Sequence, residues 1–514
     1  MNGAESLVRT LLAGEVDVCF TNPGTSEMHF VAALDQVPGM RSVLVLFEGV
    51  ATGAADGYYR MAGRPASTLL HLGPGLGNGL ANLHNAKKAG SGVINIVGQH
   101  ATEHIALDAP LTSDIEGIAR PVSHWVHTSR TSADVGSDGA GAIAAARTPP
   151  GQVATLILPG DTAWDAGGVV AEPLPIPARA PVPDAAVDAA AEALRQPASL
   201  LLLGGVALGD ECLALAGRIA AATGCALLTE WSNARLERGA GRVTVNRIPY
   251  PVDQALAVLA PYRRIVLVGA RPPVAFFAYP DQPGVLTAEG ASFVELADIG
   301  ADIAGALDAL SIAVGAKTTA LAGIAKAHRP EFPDGPTTPE SIAPVLGALI
   351  PEGAIIVDES VTTGRTFFAE TGGAPPHTWL NNRGGAIGYG MPVAIGAAIA
   401  CPDRKVIALE GDGSAMYTVQ ALWTMAREEL DITVLIFANR SYRILHGELT
   451  NVGVANPGPR AIDMLTLNRP ELGWVEMARG MGVDACQVAD IRNLARAIKV
   501  GLATAGPYLI EIML

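Results

Sequence analysis

Positive charge and cysteine are scarce in this sequence of 514 residues, and no long apolar run is present. The chain has 35 lysine and arginine residues against 50 aspartate and glutamate residues, which gives a formal net charge of −15. A surface of this kind cannot neutralise phosphates in bulk, so we expect neither nucleic acid nor an anionic membrane as a partner. No apolar run reaches the roughly 18 residues that a membrane span needs.

The cysteines show no spacing typical of a metal site. They are Cys19, Cys212, Cys225, Cys401 and Cys486. Their odd number and wide spacing predict buried thiols in a reducing compartment and argue against a disulfide framework. The first residues also lack the basic and apolar regions of a signal peptide. We therefore expect a cytoplasmic protein.

Short apolar runs alternate with helical periodicity along most of the chain. Hydrophobic residues make up 49% of the sequence, which is enough for large buried cores. The alternation predicts an α/β protein with parallel, doubly wound sheets. Two proline-rich stretches, residues 169–184 and 328–339, are typical of linkers. We predict three domains, formed by residues 1–168, 185–327 and 338–514.

The most informative stretch is residues 411–442. It begins Gly-Asp-Gly-Ser, contains an apolar strand at 432–438 and ends Asn-Arg-Ser-Tyr. Asp412 and Asn439 therefore follow neighbouring parallel strands, at the carboxyl ends where open α/β sheets bind ligands. Asp412, the side-chain oxygen of Asn439 and a backbone carbonyl near Ser441 are three oxygen ligands suited to Mg²⁺.

The glycines of this stretch suit a bound phosphate. Gly411 and Gly413 let the backbone bend and approach a phosphate closely. The amides of Gly413 and Ser414 lie at a predicted helix N-terminus, which favours an anion. Gly-Asp-Gly is common in turns, so the alternative is a tight turn and a capped loop in an unrelated α/β protein.

With Asn439 at its distance from Gly411-Asp412-Gly413, the stretch resembles the thiamine-diphosphate signature of the pyruvate decarboxylase and acetohydroxyacid synthase superfamily. Ala438 stands where that family usually has a first asparagine. The resemblance covers essentially the whole chain and implies the domain order pyrimidine-binding, middle and diphosphate-binding. It implies thiamine diphosphate and Mg²⁺ as cofactors, with Asp412, Asn439 and Ser441 on the metal. The implied cofactor-binding residues are Glu48, Ile387, Gly388, Gly411, Asp412, Gly413, Ser414, Asn439, Ser441 and Tyr442.

Two further segments match needs of this cofactor. A carboxylate must hydrogen-bond its N1′ atom, and Glu48 fits because it follows a strand predicted at 41–47 and precedes a small-residue helix at 49–61. The alternative is an ordinary helix N-terminal acid. Ile387 resembles the bulky residue that bends the cofactor, with Gly388 supplying a backbone contact. An ordinary core isoleucine is the alternative there.

The resemblance also bears on assembly. In this family the pyrimidine-binding domain of one chain faces the diphosphate-binding domain of another. Glu48 and Asp412 would then meet across a subunit interface. A homodimer is the minimum assembly that this implies, and a homotetramer is common among relatives.

The substrate side resembles benzoylformate decarboxylase. The turn at 22–27 places Thr25 and Ser26 where that enzyme has its serine turn, and His71 resembles its active-site histidine. His71 is therefore our candidate acid/base, with a helix-cap or buried structural histidine as the alternative. The second histidine of that enzyme has no counterpart, because residues 273–279 contain none. The middle domain shows no persuasive flavin fingerprint, so we do not expect FAD.

These observations predict an enzyme that uses thiamine diphosphate and Mg²⁺ to decarboxylate a 2-oxo acid. The product is released as an aldehyde or joined to an acceptor as a 2-hydroxy ketone. One alternative is acetohydroxyacid (acetolactate) synthase proper. Another is a non-catalytic thiamine-diphosphate-binding regulatory paralogue, although binding alone does not require Glu48. A nicotinamide dehydrogenase is disfavoured because the first strand lacks the Gly-x-Gly-x-x-Gly fingerprint. The sequence leaves open which 2-oxo acid is the natural substrate.

Overall fold

Three sheets follow one another along the chain in the computed structural model, which describes residues 1–514. The strands of the first sheet are β1 (Val18–Asn22), β2 (Arg41–Leu44), β3 (Ala66–Leu70), β4 (Val93–Gln99), β5 (Trp125–Thr128) and β6 (Val153–Pro159). Its helices are α1 (Gly3–Ala13), α2 (Met28–Gln36), α3 (Glu48–Ala62), α4 (Leu72–Ala89), α5 (Thr102–Ile105), α6 (Ile115–Ala119), α7 (Val135–Arg147) and α8 (Gly160–Trp164). All pairings are parallel, in the order β2-β1-β3-β4-β6-β5. The central strands β3, β4 and β6 are buried throughout, as in parallel sheets covered on both faces.

The second sheet is smaller and belongs to the middle part of the chain. This part contributes the strands β7 (Ser199–Leu203), β8 (Ala226–Thr229), β9 (Leu236–Arg238), β10 (Asn246–Arg247), β11 (Arg264–Val268) and β12 (Ser292–Ala297). Its helices are α9 (Asp184–Arg195), α10 (Asp210–Thr223), α11 (Val252–Leu259) and α12 (Ile303–Ala313). Five of the strands form a parallel sheet in the order β10-β8-β7-β11-β12, whereas β9 is not part of this sheet.

The third sheet is the largest and carries the stretch 411–442. Its own strands are β13 (Ile355–Glu359), β14 (His377–Asn381), β15 (Val406–Gly411), β16 (Ile432–Ala438), β17 (Asp484–Val488) and β18 (Tyr508–Met513). Its helices are α13 (Pro339–Leu349), α14 (Phe367–Glu370), α15 (Gly390–Ala400), α16 (Asp412–Ala415), α17 (Ala421–Arg427), α18 (Arg443–Asn451), α19 (Pro459–Asp463), α20 (Trp474–Gly480) and α21 (Ile491–Ala503). The order is β17-β18-β16-β15-β13-β14-β9, so a strand of the middle part completes this sheet.

Helices α3 and α15 join the first sheet to the third through very close backbone contact. A Cβ atom on Gly57 would lie 2.2 Å from the carbonyl oxygen of Val393. A Cβ on Gly396 would lie 1.9 Å from the carbonyl oxygen of Ala54. Side chains at these two glycines would therefore force the helices apart. The contact fixes the start of α3, where Glu48 lies, relative to the turn that precedes α15.

The predicted α/β class with three parallel, doubly wound sheets is confirmed, apart from β9, which pairs antiparallel with β14. The strand predicted at 41–47 is shorter, because the chain leaves the edge strand β2 after Leu44 and Glu48 begins α3. Short strands of mixed polarity, such as β5, β9 and β14, were not predicted.

The domain limits 1–168, 185–327 and 338–514 stay a prediction. None of the helices combines the length and apolar character needed to cross a membrane.

Candidate active site

The carboxyl ends of β15 and β16 bring Asp412 and Asn439 to one edge of the third sheet. The two strands are parallel neighbours, with Gly411 paired to Phe437. One oxygen of Asp412 accepts a hydrogen bond from the amide of Gly413 at 2.9 Å, and the other accepts from the amide of Arg440 at 2.6 Å. The side-chain oxygen of Asn439 accepts from the amide of Ser441 at 2.9 Å. The structure thus gathers the residues predicted for the metal around one turn.

Asp412 is a buried carboxylate without a cationic side chain in ion-pair distance. Burial raises the pKa of Asp412 to about 6, although the Arg440 and Gly413 amides oppose this. A bound cation would neutralise this charge, and the carboxylate and amide oxygens present are the hard ligands that Mg²⁺ takes. The donor set therefore fits the metal that the sequence predicts.

Tyr442 and Ser414 complete this end of the site. A Cβ on Gly413 would lie 2.6 Å from a ring carbon of Tyr442, so only glycine lets the tyrosine pack over the turn. The Ser414 hydroxyl donates to the carbonyl of Gly411 at 3.0 Å, which closes the Gly-Asp-Gly-Ser turn at the start of α16. The side chain of Ser441 is engaged elsewhere, because its hydroxyl donates to the carbonyl of Leu465.

The turn that carries Ile387 is held by a buried carboxylate. Glu359, the last residue of β13, accepts hydrogen bonds from the amides of Gly388, Tyr389 and Gly390 at 2.9–3.0 Å. Gly388 has a φ of +87°, and a Cβ there would lie 2.5 Å from Tyr417. The conformation of the Ile387–Gly388 turn therefore depends on glycine and on Glu359.

Glu410 lies beside Glu359, because the β13–β15 register pairs the two residues. It is fully buried, and neither of its carboxyl oxygens has a hydrogen-bond partner. Burial first, and repulsion from Glu359 second, raise the pKa of Glu410 well above its usual range. Since Glu359 has three amide donors, Glu359 is the member that ionises first and Glu410 is the member that keeps a proton.

This pair predicts a pH-dependent effect of Glu410→Gln on stability. A carboxyl whose pKa is raised on folding stabilises the fold below its unfolded pKa, and this contribution is lost as the pH rises toward the folded pKa. Glutamine is neutral at all pH values. We therefore expect Glu410→Gln to melt about 2–4 °C above the wild type at pH 8, the shift typical of about 1 kcal/mol.

Differential scanning calorimetry at pH 5 and pH 8 tests this expectation, with little difference between the two proteins at pH 5. Glu359→Gln is the matched control. It should destabilise the protein at both pH values, because an amide side chain cannot accept all three backbone hydrogen bonds. A Glu410→Gln protein that melts lower than the wild type at pH 8 would contradict the assignment of the proton.

Glu48 is the first residue of α3 and is 7% exposed. One of its oxygens accepts a hydrogen bond from the side-chain amide of Asn78 at 2.9 Å. The other lies beside Gly75, where a Cβ would come within 2.9 Å of it. The side-chain amide of Asn82 donates to the carbonyls of Gly49 and Gly388, which ties the start of α3 to the Ile387 turn within one chain. Asn78 was not predicted as a partner of Glu48.

His71 and the turn with Thr25 and Ser26 meet through Glu27. One oxygen of Glu27 accepts from the amide of Gly24 at 2.7 Å and lies 2.8 Å from Nδ1 of His71. Its other oxygen is buried without a partner, and burial raises the pKa of Glu27. A Cβ on Gly24 would overlap the His71 ring, so glycine permits this close approach. The structure therefore brings together His71, Thr25 and Ser26, with Glu27 as an unpredicted fourth member.

A cavity of about 860 Å³ runs along the carboxyl edge of the third sheet. Ile387, Tyr417, Tyr442 and Leu445 line one end. All of its lining residues lie between 231 and 448, so Glu48, His71, Thr25 and Ser26 of the first part are not among them. Asp412 and Asn439 are also absent from the lining, so the cavity of a single chain contains only part of the predicted site.

Residues 273–279 correspond to the region in which benzoylformate decarboxylase has its second histidine. In this chain they place aromatic rings at the cavity. Phe276 and Phe277 line the cavity, and Phe276 lies edge-on to Trp231 with ring centroids 5.2 Å apart. Gly385 has a φ of +83°, and a Cβ there would lie 2.7 Å from the Phe276 ring. The rings of Phe276 and Phe277 are apolar and supply no proton donor in place of the missing histidine.

The fold and this site together define a class of protein. The N-terminal thiamine pyrophosphate binding domain of the thiamine pyrophosphate enzymes matches residues 1–119, and their C-terminal thiamine pyrophosphate binding domain matches residues 365–512. The chain belongs to this family, and the family assignment predicted from residues 411–442 is confirmed.

Particular relatives span the whole chain. A Mycobacterium tuberculosis protein with the provisional name acetolactate synthase large subunit IlvX is 51% identical over 515 residues, which cover 100% of this chain and 99% of the relative. Benzoylformate decarboxylase of Pseudomonas aeruginosa is 31% identical, with 96% and 95% covered. The solved structure of a thiamine diphosphate-dependent 4-hydroxybenzoylformate decarboxylase from Rhodococcus jostii RHA1 superposes with a TM-score of 0.87 at 25% identity, covering 100% and 99%.

Proposed function

We propose that this chain catalyses the thiamine-diphosphate- and Mg²⁺-dependent decarboxylation of a 2-oxo acid. The observation that carries the proposal is the buried Asp412 beside Asn439 at the carboxyl edge of the third sheet, without a cationic side chain in ion-pair distance. A metal-bound diphosphate accounts for both the charge and the position. Bound thiamine diphosphate would supply the electron sink for the electron pair that remains when CO₂ leaves.

The residues of the third sheet hold and orient the cofactor in this proposal. Asp412, the side chain of Asn439 and the backbone of Ser441 would hold Mg²⁺. The amides of Gly413 and Ser414 would contact the diphosphate, with Gly411 and Tyr442 beside it. Ile387 would pack under the bend of the cofactor, and Gly388 would contact its aminopyrimidine through the backbone.

Residues of the first sheet would hold and transfer protons in this proposal. Glu48 would hold the proton shared with N1′, in a setting that excludes bulk water. His71 would exchange a proton with the substrate, and Thr25 and Ser26 would orient it by hydrogen bonds. Glu27 would position His71, since its buried carboxylate lies 2.8 Å from Nδ1.

The most direct test is a panel of 2-oxo acids assayed for CO₂ release, with and without aldehyde acceptors. Release of CO₂ with formation of an aldehyde supports a decarboxylase. Formation of a 2-hydroxy ketone only when an acceptor is present supports a carboligase. Bound cofactor without turnover of any 2-oxo acid would instead favour the non-catalytic paralogue and overturn the proposal.

Acetolactate synthesis is the second candidate, and the 51% identical relative with that name favours it. A colour assay for acetolactate formed from pyruvate tests it directly. An absorbance scan of the purified protein for flavin accompanies the assay, because we do not expect FAD to be bound.

We further propose a homodimer or homotetramer with each active site between two chains. Membership of the thiamine pyrophosphate enzyme family, in which the pyrimidine-binding domain of one chain faces the diphosphate-binding domain of another, supports this arrangement. The free cysteines support a reducing location such as the cytoplasm.

Subunit mixing tests the shared site. Glu48→Gln and Asp412→Asn chains should each be inactive alone, because each removes one half of every site. When they are mixed and allowed to exchange, half of the dimers contain both chains, and one site in each such dimer is intact. We therefore expect about a quarter of the wild-type activity. Each variant mixed with itself is the control, and a mixture that stays inactive after proven exchange would place both residues in one chain's site.

A further inference from the structure

Two arginines line the cavity at the ends of two short strands, away from the strand that Asp412 follows. Arg238 ends β9 and Arg247 ends β10. Both guanidinium groups stack on the ring of Phe368, at 3.7 and 3.9 Å from its centroid. Arg238 is only 8% exposed. The two cations are therefore held close together around one aromatic ring.

Few of the N–H groups of this pair are used within the protein. Arg238 donates to the hydroxyl of Thr371 and to the carbonyl of Phe368. Arg247 makes one hydrogen bond, at 3.3 Å to the side-chain oxygen of Asn381. A guanidinium has five N–H groups, so Arg247 retains about four without a hydrogen-bond partner in the protein.

One acid, Asp358, offsets only part of the positive charge of this pair. Asp358 acts electrostatically on both arginines, but its oxygens already accept four hydrogen bonds. Their donors are the amide and hydroxyl of Ser360, the Trp379 indole and the side-chain amide of Asn381. A carboxylate offers about four such positions, so Asp358 has none left for a direct hydrogen bond from either arginine, although its single charge still acts on both.

The other carboxylates along the cavity are engaged as well. Glu237 pairs with Arg235 and Arg242, and Glu359 holds the three amides of the Ile387 turn. Burial and repulsion from Arg247 lower the pKa of Arg238 to about 9. Two largely buried guanidinium charges against the single charge of Asp358 leave an excess of positive charge, which is costly to bury, and an anion between them would reduce this cost.

The arginine pair is separate from the predicted metal ligands. Asp412 follows β15, whereas the side chain of Asn381, which meets Arg247, ends β14. Strand β13 lies between them, and two strand spacings amount to about 10 Å. A diphosphate held on Asp412 and Asn439 therefore leaves the arginine end for another group.

We propose that Arg238 and Arg247 form a subsite for an oxyanion, a carboxylate or phosphate group, bound by the paired guanidinium groups at the β14–β9 edge. The planar forks of arginine match the geometry of these two anions. The group is either the far end of a substrate with a second acidic group or a separate phosphate-bearing molecule. The subsite goes beyond the proposed decarboxylation and does not depend on it.

Isothermal titration of the cofactor-saturated protein with glutarate and with inorganic phosphate tests the subsite. We expect at least one probe to bind, and its affinity to fall about tenfold or more in Arg247→Gln, since charge-assisted hydrogen bonds are lost. Arg365→Gln is the matched control, because Arg365 is an exposed arginine that lines the same cavity. Binding in this control should equal that of the wild type. Melting temperatures of all variants verify that they remain folded.

Kinetics with pyruvate and with 2-oxoglutarate separate the two sources of the anion. A KM for 2-oxoglutarate that rises in Arg247→Gln while the KM for pyruvate does not would assign the subsite to the substrate. Phosphate binding that depends on Arg247, with both KM values unchanged, would assign it to a separate ligand. The subsite is overturned if neither probe binds the wild type, or if Arg247→Gln binds both as well as the wild type does. A protein inactive on every 2-oxo acid would count against the proposed function alone, because the titration does not need turnover.

Discussion

Glu48→Gln is expected to lower kcat by about two to four decades, or about 3–5 kcal/mol of barrier. The glutamine keeps the size of the side chain and can still pair with Asn78. It cannot share a proton with N1′ of the cofactor, which we propose as the role of the carboxylate. Steady-state rates of CO₂ release from the best 2-oxo acid measure the effect, and titration with thiamine diphosphate shows that the variant still binds it.

The rival explanation is that Glu48 only stabilises the positive end of α3. That interaction is worth about 0.3–1 kcal/mol of folding free energy and leaves the chemical step untouched. Glu5→Gln is a matched control, because Glu5 lies in the first turn of α1, away from the candidate site. It should be fully active with a slightly lower melting temperature. Full activity of Glu48→Gln itself would refute the proposed role.

Asp412→Asn is expected to weaken the binding of Mg²⁺, and with it thiamine diphosphate, by about a hundredfold or more, or about 2.7 kcal/mol. The asparagine keeps an oxygen that can accept from one backbone amide, so the turn at the start of α16 should persist. It removes the charge that we propose balances the metal. Calorimetric titration with thiamine diphosphate at several Mg²⁺ concentrations measures the loss.

Ser414→Ala provides the comparison for Asp412→Asn within the same turn. It removes only the hydroxyl that donates to the Gly411 carbonyl, while the backbone amide proposed for the diphosphate remains. Affinity should therefore change by less than about tenfold, since a neutral hydrogen bond contributes about 1 kcal/mol. Wild-type cofactor affinity in Asp412→Asn would exclude Asp412 as a metal ligand.

The grouping of Asp412 with Asn439 could be predicted from the sequence because it depends on local rules. Two consecutive parallel strands end at the same edge, and the residues that follow them must lie near each other. The turn of Thr25 and Ser26 could also be predicted from local rules. Glu27 lies three residues after Gly24, which is the position of the acid in a capping box. That signal could have identified Glu27, although not its contact with His71.

Contacts between distant parts of the chain could not be predicted in this way. The hydrogen bond from Arg247 to Asn381 joins residues 134 positions apart. The pairing of Glu359 with Glu410 depends on the register of two strands, which periodicity does not fix. The place of Phe276 against Gly385 depends on how the middle part lies on the third sheet. In each case tertiary packing decides which residues are in contact, and neither local sequence contains a pattern that predicts the contact.

Strand β9 has a consequence for how this protein avoids aggregation. A parallel sheet that ended at β14 would expose a row of unsatisfied backbone amides and carbonyls, on which another chain's strand could pair. Residues of β9 cover that row, with His377, Thr378 and Trp379 paired to Arg238, Glu237 and Leu236. The capping strand is only three residues long and carries three charged or bulky side chains, so it offers a poor template for further growth. Strand addition by another copy of the chain is therefore disfavoured at this edge of the third sheet.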